Sequence, residues 1–160
     1  MRSAGRGPLI LALLGIVAVI LGIRRYALRD SVPFRDLVTV SAVRNGIDPV
    51  LLAAVLQWES RWNPKHVNES DPSYGLGSMK LSTAQDFWSA PVTIALLMVP
   101  EFSIELAARF ISWLQYDNGI PMPEGISAYN TGAGGYRRGV KPIPVDYSAR
   151  IMRIMGELRR

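Results

Sequence analysis

Asp48-Pro49-Val50-Leu51-Leu52-Ala53-Ala54-Val55-Leu56-Gln57-Trp58-Glu59-Ser60 reads as one helix, and the position of its last acid governs how the rest of the chain is read. Asp48 is a good N-cap, and Pro49 suits the first helical position, where no amide hydrogen is needed. The spacing predicts an end near Asn63-Pro64, because the residue before a proline is pushed out of the helical region. Leu52, Val55 and Leu56 share one face, and Glu59 is the next member of that stripe. Burying an ionised carboxylate is costly, so burial would raise its pKa and keep it protonated near neutral pH. A general acid needs that property. A frayed helix end with Glu59 in water fits the same spacing. Trp58 and Trp62 flank it and suit either a core or the wall of a sugar-binding cleft. Ser60, next to Glu59, is placed to cap or to hydrogen-bond.

Outward from this helix the chain reads as short helices and loops. Upstream, Pro33 suits a first helical position and Asn45-Gly46 a stop. Downstream, residues 64–80 are rich in Asn, Ser, Asp, Pro and Gly and read as a long loop. It contains Tyr74-Gly75-Leu76-Gly77-Ser78-Met79, whose glycines would allow a close backbone approach to a ligand or simply form a turn. Ser82-Thr83-Ala84-Gln85 has capping-box spacing. Residues 90–100 are apolar between prolines, and helix and strand both remain open there. Ile104, Ala107, Ala108, Ile111 and Leu114 predict a helix from about Ser103 to Asp117, closed by Asn118-Gly119. A short helix is expected over Gly125 to Asn130, followed by a Gly-rich stretch from Thr131 to Gly135. That stretch lacks the Gly-Lys-Ser/Thr ending of a phosphate loop. Tyr129 and Asn130 could orient a sugar, or serve as part of a helix cap. A final helix begins near Asp146, with Tyr147, Ile151, Ile154, Met155 and Leu158 on one face. No sustained period-2 pattern appears, so the expected fold class is all-α.

Composition narrows the chemistry. The 160 residues contain no Cys and a single His, His66, which excludes a disulfide framework, a thiolate nucleophile and a His-rich metal site. The formal charge is +5, but residues 1–30 hold five Arg and one Asp, while 31–160 hold thirteen Lys/Arg against twelve acids. A nearly neutral folded part does not call for nucleic acid. Residues 137–160 carry seven Lys/Arg against two acids, which reads as a solvated face or as a contact for an anionic polymer.

Pro8 to Ile23 (PLILALLGIVAVILGI) has no charge and is flanked by Arg2, Arg6, Arg24, Arg25 and Arg29. A spanning helix needs about 17–25 apolar residues, so this one is at the short end. An uncleaved signal anchor fits better than a cleaved signal peptide, since no small-x-small site precedes a polar start. The basic flanks argue against a buried helix. Residues 1–30 are therefore read as an anchor entering the cytoplasmic membrane through 8–23, and 31–160 as the folded domain. Basic residues on both sides leave orientation undecided by charge.

Taken together, the motifs resemble the SLT-type lytic transglycosylases, whose catalytic domain is lysozyme-like. Glu59-Ser60-Arg61-Trp62-Asn63-Pro64 is similar to that family's Glu-Ser-x-aromatic-Asn-Pro. Gly75-Leu76-Gly77-Ser78-Met79-Lys80-Leu81-Ser82-Thr83-Ala84 is similar to its Gly-Leu-Met-Gln-x-Met-Pro-x-Thr-Ala. Pro100-Glu101 with Ile104 resembles its Pro-Glu-x-Asn-Ile, and Ala128-Tyr129-Asn130-Thr131-Gly132 its Ala-Tyr-Asn-x-Gly. Tyr147 stands where the family has a Tyr opening its last helix. The order of the segments and a span of roughly 34–158 make the resemblance specific. It departs at Gly77, Ser78, Leu81 and Ser103, where the family has Met, Gln, Pro and Asn.

The resemblance implies cleavage of the MurNAc–GlcNAc β-1,4 bond of peptidoglycan, with a 1,6-anhydroMurNAc product. Glu59 would be the single acid and base, Tyr129 would orient it, and Asn130 would shape the cleft. Ser60, Tyr74, Gly75, Ser78, Met79 and Tyr147 would contact the glycan. No metal or cofactor is implied. The tether would hold the domain on the periplasmic or wall side. Two other readings stay open. One is a lysozyme-type hydrolase with a second carboxylate, for which Glu69, Asp71 and Asp86 are the nearby acids. The other is a wall-binding or scaffold protein that has kept the fold.

Overall fold

The computed structural model describes residues 28–142 and 144–159. The apolar segment 8–23 lies outside them, and among the described residues no helix is long and apolar enough to cross a membrane. The described residues are mostly helical. In order come α1 (Arg35–Arg44), α2 (Pro49–Ser60), β1 (Val67–Asn68), β2 (Ser73–Tyr74), α3 (Leu81–Asp86) and α4 (Ile94–Leu97). Then follow α5 (Pro100–Ser112), a π-helical turn (Trp113–Asp117), a 3₁₀ turn (Glu124–Ile126), α6 (Ser127–Arg137) and α7 (Tyr147–Leu158).

The central helix is α2. Asp48 caps it as expected, its carboxylate accepting the Val50 N–H at 2.8 Å, and Pro49 follows. Every residue from Pro49 to Leu56 is buried, because α7, α1 and α5 pack around it. An almost wholly apolar helix has no solvent face to offer and must sit in the middle. The helix ends at Ser60, earlier than Asn63. Arg61 and Trp62 both take left-handed conformations, φ 51° and 64°, and turn the chain sharply. A bulky residue such as Trp at positive φ is rare and marks a place where other contacts override local preference. Helix α7 starts at Tyr147 and buries Tyr147, Ile151, Ile154 and Met155, as its periodicity predicts.

The structure corrects several readings. Residues 64–80 are not a plain loop. They hold an antiparallel hairpin with Val67 opposite Tyr74, and Tyr74 and Met79 exchange two backbone hydrogen bonds at 3.0 Å. Two-residue strands are too short to show a period. Helix α1 begins at Arg35 behind a left-handed Phe34, two residues past Pro33. Helix α3 begins at Leu81, not behind a Ser82 cap. Gln85 instead turns its amide to the Val92 N–H and the Trp88 and Ala90 carbonyls, so it is not available for a capping box. The ambiguous stretch 90–100 is helical at α4 and at the start of α5. The helix expected from Ser103 to Asp117 starts at Pro100 and widens into the π turn, whose bond runs from Asn118 N–H to Trp113 O. The Gly-rich stretch after Asn130 is part of α6, broken only at Gly132, φ 69° and ψ 161°.

The folded part also starts earlier than residue 31. Leu28 is buried and forms a bridge with Arg159, and the Arg29 N–H donates to Leu158 O at 3.2 Å. The expected boundary therefore falls just inside this terminal pairing.

Candidate active site

Where α2 ends, the left-handed turn at Arg61-Trp62, the β1 hairpin and α7 leave an open cleft of about 1240 Å³. Its walls include Trp58, Glu59 and Trp62 from the α2 end, His66 to Ser70 and Ser78 from the hairpin side, and Arg153, Ile154, Glu157 and Leu158 from α7. Ser31, Val32 and Pro33 complete one end. Both tryptophans are partly buried and packed on the core while reaching the cleft.

Glu59 is partly buried at the back of this cleft. The Tyr147 hydroxyl donates to its Oε1 at 2.5 Å. Burial pushes the carboxyl from an ordinary 4.5 up to about 7, against the opposing pull of the Tyr147 bond. Desolvation destabilises the charged form, while a donor to the carboxylate favours it, and here desolvation wins. Tyr147 itself is almost fully buried. Its phenol is pushed far above the ordinary 10, first by burial and then by the adjacent Glu59 charge. Tyr147 is thus a fixed donor and not a titrating group. Trp58 meets Tyr147 edge-on at 6.4 Å, and Arg150 lies over the Trp58 ring at 5.1 Å, gripped by both Asp146 oxygens.

The phenol on Glu59 is therefore Tyr147, whereas the resemblance assigned that contact to Tyr129. Tyr129 is buried nearby, close enough for the Glu59 charge to add to the burial that raises its pKa. Its hydroxyl, however, donates to Gly77 O at 2.8 Å. The Gly77 N–H donates to Ser103 Oγ at 3.1 Å. Two departures from the family pattern, Gly77 and Ser103, thus meet each other. A Cβ on Gly77 would lie 3.0 Å from the Tyr129 hydroxyl, so glycine suits this packing.

Of the remaining expected contacts, Ser78 reaches the cleft. It does so at φ 46°, hydrogen-bonded to Ser73 at 2.8 Å. Ser60 is buried and bonds back to Leu56 O inside its own helix. Gly75 approaches protein, not ligand: at φ 74° a Cβ there would lie 1.9 Å from the Leu97 carbonyl oxygen. Met79 is buried behind the hairpin, Tyr74 is half-buried opposite Val67, and Asn130 is exposed on α6. Of the three acids singled out, Glu69 lines the cleft, while Asp71 pairs with Lys80 at 2.7 Å and Asp86 ends α3. Glu157 and Arg153 also line the cleft, and no motif in the sequence marks them. Their α7 helix reads only as an amphipathic helix until its packing against α2 is known.

A donor-held carboxyl with a pKa raised to about 7 thus lies in an open groove walled by two indoles, an arrangement able to hold a proton near neutral pH. No group of three or more potential metal ligands occurs among the described residues. The sequence model of the Transglycosylase SLT domain family matches residues 36–142, and the chain belongs to that family. The chain is also similar to the membrane-bound lytic murein transglycosylase C of Edwardsiella ictaluri (strain 93-146), with 30% identity over 118 residues. That match takes in 66% of this chain and 33% of the relative, so the chain spans about a third of the protein it resembles.

Proposed function

We propose that this protein is a peptidoglycan lytic transglycosylase in which Glu59 is the single acid and base. The observation that carries the reading is the Glu59 carboxyl, pushed up to about 7 and held by Tyr147 in an open cleft. Family membership and the name of the relative support the substrate class.

In the proposed reaction Glu59 starts protonated. It gives its proton to the oxygen of the MurNAc–GlcNAc β-1,4 bond, and that bond breaks with positive charge developing at the MurNAc anomeric carbon. The carboxylate left behind takes the proton of the MurNAc 6-hydroxyl as that oxygen closes on the same carbon. The product is 1,6-anhydroMurNAc, and Glu59 ends protonated. An internal nucleophile is held at high effective concentration, so no positioned water is required. A pKa near 7 suits both halves, since the group must give and take a proton at similar pH. Tyr147 orients the carboxyl and steadies the transient carboxylate, and Trp58 and Trp62 offer faces to the sugars.

A hydrolase is the second reading, because Glu69 and Glu157 also line the cleft and either would be a candidate to activate water. The open cleft beside Glu59 favours an enzyme over a binding scaffold. We place the chain in the cytoplasmic membrane through residues 8–23, with the domain on the periplasmic or wall side, where its substrate lies. The test is mass spectrometry of purified peptidoglycan after incubation with the full chain and with Glu59→Gln. Anhydro ends that vanish in the variant support the transglycosylase. Reducing MurNAc ends indicate the hydrolase, and no release by a folded wild-type chain overturns both.

A further inference from the structure

The attachment of the chain to its apolar segment has a geometric consequence for the cleft. Leu28 is 4% exposed and is fixed in the core by its bridge to Arg159 and by the Arg29–Leu158 backbone bond. The chain cannot peel away there without exposing core. Only Arg24, Arg25, Tyr26 and Ala27 separate Ile23, the last apolar residue, from this fixed point. Three residues beyond Leu28 the chain is already cleft wall: Ser31, Val32 and Pro33 line one end, beside Glu157 and Leu158 from the partner segment of the same pairing. The Leu28 pairing and this end of the cleft are one piece of structure.

The reach follows from chain geometry. From Ile23 to Ser31 there are eight residue steps, which fully extended span at most about 28 Å. That is less than the hydrocarbon thickness of a bilayer, about 30 Å. Attachment on the opposite side would have allowed the cleft to stand further out by a domain diameter, about 36 Å for a chain of this size. We infer that the cleft works close to the membrane surface, with its Ser31 end held within about 28 Å of it, so that it cuts glycan segments near the membrane. This inference rests on the transglycosylase and anchor readings above. The reaction that supplies its substrate is then glycan polymerisation at the membrane, which delivers strands at that height. Strands in more distant layers are out of reach.

The absence of Cys makes the distance measurable with one introduced thiol. The full chain carrying Ser31→Cys, labelled with a donor dye, is reconstituted into vesicles containing acceptor-labelled lipid headgroups. A second form carries forty Gly/Ser residues inserted between Arg25 and Tyr26. Both forms are also assayed, unlabelled and without the Cys substitution, on soluble uncross-linked glycan strands and on intact sacculi. The expected result is strong energy transfer in the native chain and weak transfer in the lengthened one. Release from sacculi should rise several-fold on lengthening, while release from soluble strands stays the same. Weak transfer in the native chain overturns the inference, even if soluble strands are cut and the transglycosylase reading stands. Equal release from sacculi by both forms overturns the restriction on substrate. Loss of the chain from vesicles on alkaline washing overturns the anchor and the inference with it. Failure of either form to cut soluble strands overturns the activity, whatever the dye distance.

Discussion

Two carboxylates are drawn into this small domain and are treated in opposite ways. Glu59, at the end of α2, meets one neutral donor, and burial drives its pKa up to about 7. Glu105, on α5, is 7% exposed and faces Arg109 at 3.1 Å, Arg44 at 3.5 Å and Asn45 at 3.3 Å. Burial raises its pKa too, but hydrogen bonds from Arg109, Asn45 and Ser41 and the Arg109 charge together outweigh it and leave the group below the ordinary value. Glu105 ties α5 to α1 and stays charged. Glu59 is left with a proton that it can give away. Burial favours the neutral form in both; beside Glu105 charged and amide partners oppose it, whereas Glu59 meets the Tyr147 hydroxyl. A buried acid keeps its proton to higher pH when the fold withholds a cation from it.

The largest test of this contrast is Glu59→Gln. Loss of a general acid should lower peptidoglycan release about a thousandfold. The amide cannot ionise, so stability should not suffer. Because the folded pKa of Glu59 lies above 4.5, its contribution to stability is full below 4.5 and is lost as pH rises through about 7. Thermal melting should therefore show the variant gaining on the wild type between pH 5 and pH 8.

Tyr147→Phe comes next. The carboxyl loses its orienting donor, and kcat/KM at pH 6 should fall about tenfold. The hydrogen bond lowers the Glu59 pKa, so its removal should move the alkaline limb of the pH profile above 7. An unmoved limb would mean that Tyr147 does not act on Glu59.

Glu105→Gln should leave the pH profile of activity alone and cost about 1–2 kcal/mol of stability in denaturant titration, since both arginines are half exposed and water screens them. The sign with pH is opposite to that of Glu59. Glu105 has a lowered pKa, so its stabilisation is present above 4.5 and disappears as pH falls through its folded value. The variant should lose that acid sensitivity.

Tyr129→Phe should have the smallest effect. It removes one buried hydrogen bond to Gly77 and should cost about 1 kcal/mol, with the activity limb unchanged. A shift of that limb equal to the one for Tyr147→Phe would erase the distinction between the two phenols.

Much of this was legible in the sequence, and the physical reason divides it from the rest. The stripe of Leu52, Val55, Leu56 and Glu59 repeats at the helical period, so the place of the acid on α2 could be read before its surroundings were known. Asp48-Pro49 marked the helix start, and the Tyr147 face of α7 followed from the same periodicity. The hairpin over 67–74 was not legible, because strands of two residues have no period and its turn residues also suit a loop. The partner of Glu59 was not legible either: Tyr147 is 88 residues away, and only the packing of α7 on α2 chooses it over Tyr129. Gly75 is instructive in another way. A glycine pair signals close approach, but the sequence cannot say that the approaching atom is the Leu97 carbonyl and not a ligand. The Glu105 cluster joins residues some sixty positions apart, and Leu28 belongs to the domain only because Arg159 returns to meet it.

The most direct measurement is a carbon-13 NMR titration of the glutamate carboxyls in the full chain, with Glu59→Gln and Glu105→Gln used to assign the two signals. The account predicts a Glu59 midpoint near 7 and a Glu105 midpoint below the ordinary 4.5, in the same sample. A Glu59 midpoint at or below 4.5 would contradict it, because the cleft would then hold a carboxylate with no proton to give at neutral pH.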